Sequence, residues 1–198
     1  QAPVVQQAAA FNDPVWLEAG SLQAFSAFST LEECFGDLAG HIHGIETGLS
    51  SDPPMNAGVP ALRGLRPISN SDAHSPGKPG REASLLEIDL SYQNLLDAIR
   101  QGERKGWRGT IEFFPQEGKY HWDGHRACGV SMAPEEGEKR GNICPVCGKK
   151  MTVGVCHRVL ELSGAGKTET APYESLAPLP ETIAASLGVG VTSVKVKR

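Results

Sequence analysis

The sharpest chemical signal in the chain is Cys144-Pro145-Val146-Cys147-Gly148. A Cys-x-x-Cys turn sets two sulfurs on one side of a tight loop, where backbone N–H groups donate to them, and the glycine that follows permits the left-handed turn closing it. A tetrahedral structural zinc site takes four ligands, and His125-Arg126-Ala127-Cys128 supplies a second pair at the same spacing. The pattern predicts a structural zinc held by His125, Cys128, Cys144 and Cys147, with His157 as the alternative fourth ligand and Cys156 behind it. A redox dithiol is the competing chemistry, but it belongs at a helix N-terminus after a strand, and the second matched pair argues against it.

A different chemistry is suggested by Asp72-Ala73-His74. At the end of a strand, residues two apart project to the same side. A carboxylate and an imidazole converging there suit a divalent ion that acidifies a bound water and polarises a phosphate. The same pair also occurs in ordinary loops.

The elements that must position these groups follow from periodicity and punctuation. Thr30-Leu31-Glu32-Glu33 is a capping box that starts a helix bearing Leu31, Phe35 and Leu38 and ending near Gly40. A strand is expected over His41 to Glu46, a loop over Ser50 to Asn56, and a second strand from Arg66 to Asn70 that delivers Asp72 and His74. Ser91 caps a helix carrying Leu95, Leu96 and Ile99, stopped by Gly102. Alternating strands and helices predict an α/β fold with a parallel sheet or barrel, whose ligands gather at the carboxyl ends of the strands. From Gly109 the texture changes to a strand-like run, Thr110 to Phe114, followed by the Cys- and His-bearing module. The expected division is residues 1–105, a zinc-binding unit over 106–162, and a linker with a short helix from Pro180 to Leu187 over 163–198.

Composition sets the outer limits. With 198 residues and 39% hydrophobic content, the chain can build one ordinary domain and a small one. No stretch approaches the ~18 apolar residues of a membrane span, and Gln1 to Ala10 lacks the basic start and apolar run of a signal peptide, so the expectation is cytoplasmic. Four of the five cysteines fall between Cys128 and Cys156, which suits metal ligation better than a disulfide framework. A net charge of −4 argues against a general polyanion binder, yet Lys139, Arg140, Lys149, Lys150 and Arg158 form a run with no Asp or Glu, a local field suited to DNA. A solvated surface, partly neutralised by zinc-bound thiolates, is the plainer account of that run. Gly164-Ala165-Gly166-Lys167-Thr168 ends like a nucleotide-binding P-loop, but Glu161 stands where that loop needs glycine, so no ATP site is expected.

Longer motifs carry a resemblance. Ile45-Glu46-Thr47-Gly48-Leu49-Ser50-Ser51-Asp52, Ile68-Ser69-Asn70-Ser71-Asp72-Ala73-His74-Ser75, Gly80-Arg81-Glu82-Ala83, Glu112-Phe113-Phe114-Pro115, Asp123-Gly124-His125-Arg126 and Leu179-Pro180-Glu181-Thr182-Ile183-Ala184 are similar to the endonuclease Q family. These are DNA-repair nucleases of the polymerase-and-histidinol-phosphatase (PHP) superfamily. The resemblance implies the C-terminal portion of a distorted (β/α)7 PHP barrel followed by a zinc-knuckle domain. It further implies a divalent-metal site (Mg, Mn or Zn) and cleavage of DNA on the 5′ side of uracil, hypoxanthine or an abasic site. By position, Asp72 and His74 match the final Asp-x-His metal motif, and Glu46 matches a ligand position late in the barrel.

The departures set a further expectation. The superfamily's opening His-x-His and its first Glu are not in the chain, and the family's middle His falls at Asp13 to Trp16, which reads Asp-Pro-Val-Trp. His41-Ile42-His43 imitates the opening motif, but strand parity sets it on the face opposite Glu46. The chain is therefore expected to be incomplete and inactive alone: a fragment, a truncated homologue, or a partner of another polypeptide supplying the N-terminal barrel half. A non-catalytic zinc-dependent DNA-binding module and a small-molecule phosphoesterase are the alternative functions. Arg81, beside the Asp-x-His loop, is a candidate bidentate phosphate donor. Tyr120, His121 and Trp122 could offer an aromatic face to an unstacked base, or simply fill the zinc core.

Overall fold

The computed structural model describes residues 30–165 and 169–197. The segment at Asp13 to Trp16 and Gly166-Lys167-Thr168 of the P-loop-like stretch lie outside them. Thr30 caps the first helix, α1 (Leu31–Phe35), its hydroxyl accepting from Glu33 N–H at 3.1 Å. The helix stops at Gly36 rather than Gly40, and the chain tightens into a 3₁₀ turn, Gly36–His41. Because His41 still belongs to that turn, the strand expected from His41 is only β1 (Gly44–Glu46), and strand parity does not govern His41. Asp52 then converts an expected loop into helix α2 (Pro53–Ala57): its carboxylate accepts from Met55 N–H at 2.9 Å, and proline is tolerated in the first turn.

Strand β2 (Arg66–Ile68) runs parallel to β1, Gly44 facing Arg66 and Glu46 facing Ile68, with α2 in the crossover. Strand β3 (Ala83–Leu86) was not legible among the prolines and glycines before it. Helix α3 (Tyr92–Gln101) starts as expected, with Ser91 Oγ accepting from Asn94 N–H at 3.2 Å. It buries Leu96 and Ala98.

Strand β4 (Trp107–Glu112) begins just after the boundary expected at Gly106. It pairs antiparallel with β3 on one side and parallel with β7 (Tyr173–Ser175) on the other. A strand assigned to the zinc-binding unit thus sits at the centre of the preceding sheet, and part of the supposed linker is its third strand. The reason is burial: Trp107 is wholly enclosed, with the Arg66 guanidinium 4.8 Å from its ring centroid. Ser69 ties the two sheets, its hydroxyl donating to the Ile111 carbonyl at 3.0 Å.

Beyond β4, hairpin β5 (Asp123–His125) and β6 (Val130–Met132) leads to α4 (Pro134–Lys139) and α5 (Val155–Leu162). Val155 and Val159 of α5 form a core with Val59, flanked by Met55, Leu62 and Leu162, so α5 packs on α2 and the two parts share apolar interior. Gly154 precedes α5 because a Cβ there would lie 2.4 Å from the Trp122 carbonyl carbon. Helices α6 (Leu179–Leu187) and α7 (Val194–Lys197) follow. The fold is mixed α/β. Among the described residues the strands form a pair, a triplet and a pair, and no helix is long and apolar enough to cross a membrane.

Candidate functional site

Four side chains predicted from spacing come together. His125 ends β5, Cys128 sits in the adjoining 3₁₀ turn, and Cys144 and Cys147 occupy a turn closed by Gly148, whose φ of 68° is the left-handed conformation. Gly148 N–H donates to the Cys144 carbonyl at 2.9 Å, and Cys144 N–H donates to that of Lys149 at 2.8 Å. The donor atoms of His125, Cys128, Cys144 and Cys147 all lie within 4.8 Å of one another, on the scale of the ~3.8 Å tetrahedron edge that ~2.3 Å zinc–sulfur bonds define.

The electrostatics suit a cation. Desolvation works against ionising Cys144, but the N–H groups of Cys147 and Val146, with the Cys147 thiol and His125, bring it down to about 6. The hydrogen bond with Cys147 pushes Cys128 up to about 11, since neighbouring thiols resist ionising together. Three sulfurs and an imidazole form a donor set able to hold a metal ion.

His157 and Arg158 are corrections. His157 is 3% exposed, and its Nδ1 meets Asp123 Oδ2 at 2.5 Å while Nε2 lies 3.4 Å from Glu138 and 3.6 Å from Glu161. It clamps β5, α4 and α5 together and is not in the Cys/His group. Arg158, expected on a DNA-facing surface, is buried and paired with Glu161 at 2.8 Å, the natural partner one helical turn on. Arg140 likewise pairs with Glu136 at 3.3 Å. Lys149 and Lys150 are exposed on the Cys147 turn.

The second site is a cavity of about 730 Å³ whose wall includes Glu46, Asp72, His74, Arg81, Glu82 and Lys119. Glu46 ends β1 and is buried, whereas Asp72 and His74 are exposed in the loop after β2. That strand stops at Ile68, so strand parity does not orient the pair. A local turn does: Asp72 adopts φ 44°, and His74 Nδ1 lies 2.9 Å from the Asp72 carbonyl oxygen and 3.7 Å from its carboxylate. Arg81 braces this loop, Nε donating to the Ser71 carbonyl at 2.8 Å and NH2 reaching that of Asp72 at 3.5 Å. Glu46, Asp72 and His74 share the cavity. Among the described residues, however, the Cys/His set is the one group of His, Cys, Asp and Glu side chains close enough to hold an ion.

Sequence reasoning missed the buried acids beneath this cavity. Glu82 is 2% exposed and Glu112 is fully enclosed, its Oε2 accepting from Thr47 Oγ1 at 2.8 Å. Burial, then the charge of Glu112, pushes Glu82 up to about 8. Burial pushes Glu112 up to about 7, opposed by the nearby Thr110 hydroxyl and by the hydrogen bond from Thr47. Burial likewise raises Glu46 to about 7, opposed by a hydrogen bond from Asn70. The available signal was parity: Glu112 lies two residues after Thr110 in the strand-like run, which sets the two on one face. Of the expected aromatic face, His121 is buried with Nδ1 2.8 Å from the Ser50 carbonyl, while Tyr120 is half-exposed on the cavity wall with Lys119 Nζ 4.5 Å from its ring.

No family model matches the chain. It is 33% identical over 179 residues to the uncharacterised protein MJ0043 of Methanocaldococcus jannaschii, covering 84% of this chain and 22% of that protein. It is 32% identical over 145 residues to the uncharacterised protein YqxK of Bacillus subtilis, covering 72% and 36% respectively. Among solved structures it is similar to the lesion-specific endonuclease PfuEndoQ of Pyrococcus furiosus, with a TM-score of 0.75, 29% identity, and 91% of this chain matching 46% of that one. It is equally similar (TM-score 0.75, 31% identity, covering 88% and 45%) to endonuclease Q in complex with a 27-mer duplex substrate bearing an abasic lesion at the active site.

Fold and site thus define a mixed α/β protein with a Cys/His cluster able to hold a metal and a carboxylate-lined cavity. Its neighbours among solved structures are endonuclease Q proteins, matched over about nine-tenths of this chain, which supports the endonuclease Q family. The chain spans less than half the length of each of these relatives.

Proposed function

We propose that this chain contributes part of the active site of a metal-dependent DNA-repair endonuclease, cutting 5′ of uracil, hypoxanthine or an abasic site. The observation that carries the reading is the single cavity gathering Glu46, Asp72 and His74 with the cations Arg81 and Lys119. Its support is the likeness to an endonuclease bound to a lesion-bearing duplex. In this reading β1, α2 and β2 belong to a distorted PHP barrel, and the zinc-binding unit begins after β4 rather than at Gly106.

His74 and Asp72, exposed at the cavity mouth, offer an imidazole and a carboxylate to an incoming divalent ion, with Glu46 as the carboxylate on the floor. Such an ion, Mg, Mn or Zn, supplies an acidified water and charge stabilisation of a leaving oxygen. Arg81 holds the Asp72 backbone in its turn, so its share in phosphate binding is secondary to positioning. His125, Cys128, Cys144 and Cys147 would hold a structural zinc, and the exposed Lys149 and Lys150 on the same turn would meet the DNA backbone.

Three ligands are fewer than a two-metal phosphodiesterase uses, so the remaining ligands come from outside the described residues. The 198-residue chain with Mg²⁺ or Mn²⁺ should leave a uracil-containing duplex intact, and the chain joined to a barrel half bearing His-x-His should nick it. Cleavage by the chain alone that disappears in Asp72→Asn would overturn the partial-site reading. Salt-sensitive DNA binding without cleavage in the joined form would support the second reading, a zinc-dependent DNA-binding module, which the exposed Lys149 and Lys150 favour.

A further inference from the structure

Cys147 differs from the other two cysteines of the Cys/His cluster in being exposed, whereas Cys144 is only 1% exposed and Cys128 is half-buried. Its sulfur lies 3.3 Å from His125 Nδ1 and within 4.8 Å of the Cys144 and Cys128 sulfurs, so one thiol meets both the donor cluster and solvent. The turn that carries it is closed by its own backbone. Cys144 N–H donates to the Lys149 carbonyl at 2.8 Å, Gly148 N–H to that of Cys144 at 2.9 Å, and Met151 N–H to that of Asn142 at 2.7 Å. Ile143 and Lys150 pair as an antiparallel bridge across the same turn. Cys144 and Cys147 are therefore held as neighbours whatever occupies the cluster, while Cys128 reaches them from the separate β5–β6 hairpin. Oxidation of a thiol follows its access to the oxidant, which favours Cys147 as the sulfur met first.

We propose that Cys147 is an oxidation site, at which a peroxide joins its sulfur to that of Cys144 in a disulfide and so releases the metal ion held by the cluster. The Cys147 sulfur attacks the peroxide, whose O–O bond breaks, leaving a sulfenic acid and a molecule of water. The Cys144 sulfur then attacks the Cys147 sulfur, the S–O bond breaks as the S–S bond forms, and a second water departs. The pair of sulfurs gives up two electrons, which reduce the peroxide. The two protons that complete the waters come from the thiols or, where the sulfurs are held as thiolates, from solvent. Cys144 resolves the sulfenic acid in preference to Cys128 because it shares the closed turn and stays within reach after the ion has gone. The disulfide removes half of a four-donor set, and His125 with Cys128 cannot complete a tetrahedral site. A thiol reductant reverses the change. The inference rests on the reading above in one respect, that the cluster holds zinc, and it requires neither DNA nor cleavage.

The test treats the full chain, purified with zinc and reductant and then desalted, with excess hydrogen peroxide. Zinc release is followed by the absorbance of a colorimetric chelator, and the cysteines are mapped by differential alkylation and peptide mass spectrometry. About one zinc per chain should be released in step with the loss of about two thiols, found together in a Cys144–Cys147 disulfide. Dithiothreitol with added zinc should restore both. Cys147→His keeps a four-donor Cys/His set that zinc accepts and removes the exposed thiol, so peroxide should release its zinc at least about tenfold more slowly. Should that variant bind no zinc, the disulfide map of the wild type decides alone. A disulfide that joins Cys128 to either partner, or release from Cys147→His as fast as from wild type, overturns the assignment of Cys147. Zinc that stays bound while the Cys144–Cys147 disulfide forms overturns the release and leaves the zinc reading to be revised separately by its ligand variants. A wild-type chain that holds no zinc before peroxide is added overturns the ligand set, and this inference with it.

Discussion

Cys144 links the chain's clearest motif to its tightest geometry. It is buried, its carbonyl receives the Gly148 N–H, and its sulfur lies within 4.8 Å of three other donor atoms. Cys144→Ser should therefore lose about one equivalent of zinc per chain by elemental analysis, together with the β5–β6 fold by circular dichroism. Full zinc occupancy in that variant would reject the ligand set. Glu112 leads to a pH prediction of the opposite kind. Its carboxyl sits at about 7 when folded, above its ordinary 4.5, so the folded chain holds the proton more tightly than the unfolded one. The stability it contributes is complete below about 4.5 and lost as the pH rises through about 7. Glu112→Gln should flatten the decline in melting temperature across that window relative to wild type, and an unchanged decline would remove Glu112 as its source.

Among the elements, the turn carrying Cys147 is the one built to face a polyanion. The five-residue basic run is reduced by the fold, because Arg158 is buried against Glu161 and Arg140 pairs with Glu136, which leaves Lys149 and Lys150 exposed on the turn itself. Reversing both, Lys149→Glu with Lys150→Glu, should weaken duplex binding by about tenfold or more at low salt and flatten its dependence on salt. Arg158→Gln should instead lower stability with little change in the salt slope, measured by fluorescence anisotropy across a salt series. Equal effects of the two changes on that slope would contradict the placement of these side chains.

Across the whole molecule, the segment bearing the Cys/His cluster and the part of the chain that precedes it share a core. Val155 and Val159 meet Val59, and Glu112 receives a hydrogen bond from Thr47 beneath the cavity. The described residues should accordingly melt in one cooperative step. Val155→Ala, which empties a site only 1% exposed, should cost about 2 kcal/mol and lower the transition seen by all probes together. Two separated calorimetric transitions would show that the parts fold independently.

Sequence alone determined whatever depends on neighbours a few positions apart. His125 with Cys128, and Cys144 with Cys147, are set by turn geometry, and the caps at Thr30 and Ser91 satisfy N–H groups three residues on. Asp72 and His74 were legible for the same reason, although a local turn and not a strand brings them together. Tertiary structure decided the rest because burial is a sum over distant contacts. Thr47 and Glu112 meet across 65 positions, and His157 meets Asp123 across 34. Nothing near Glu82 in the chain announces that its carboxyl will be enclosed, or that the strand after Gly106 will become the centre of the sheet above it. The same His or Glu is a member of the Cys/His cluster, a clamp between elements or a buried acid according to which distant side chains surround it, and only the folded chain supplies those.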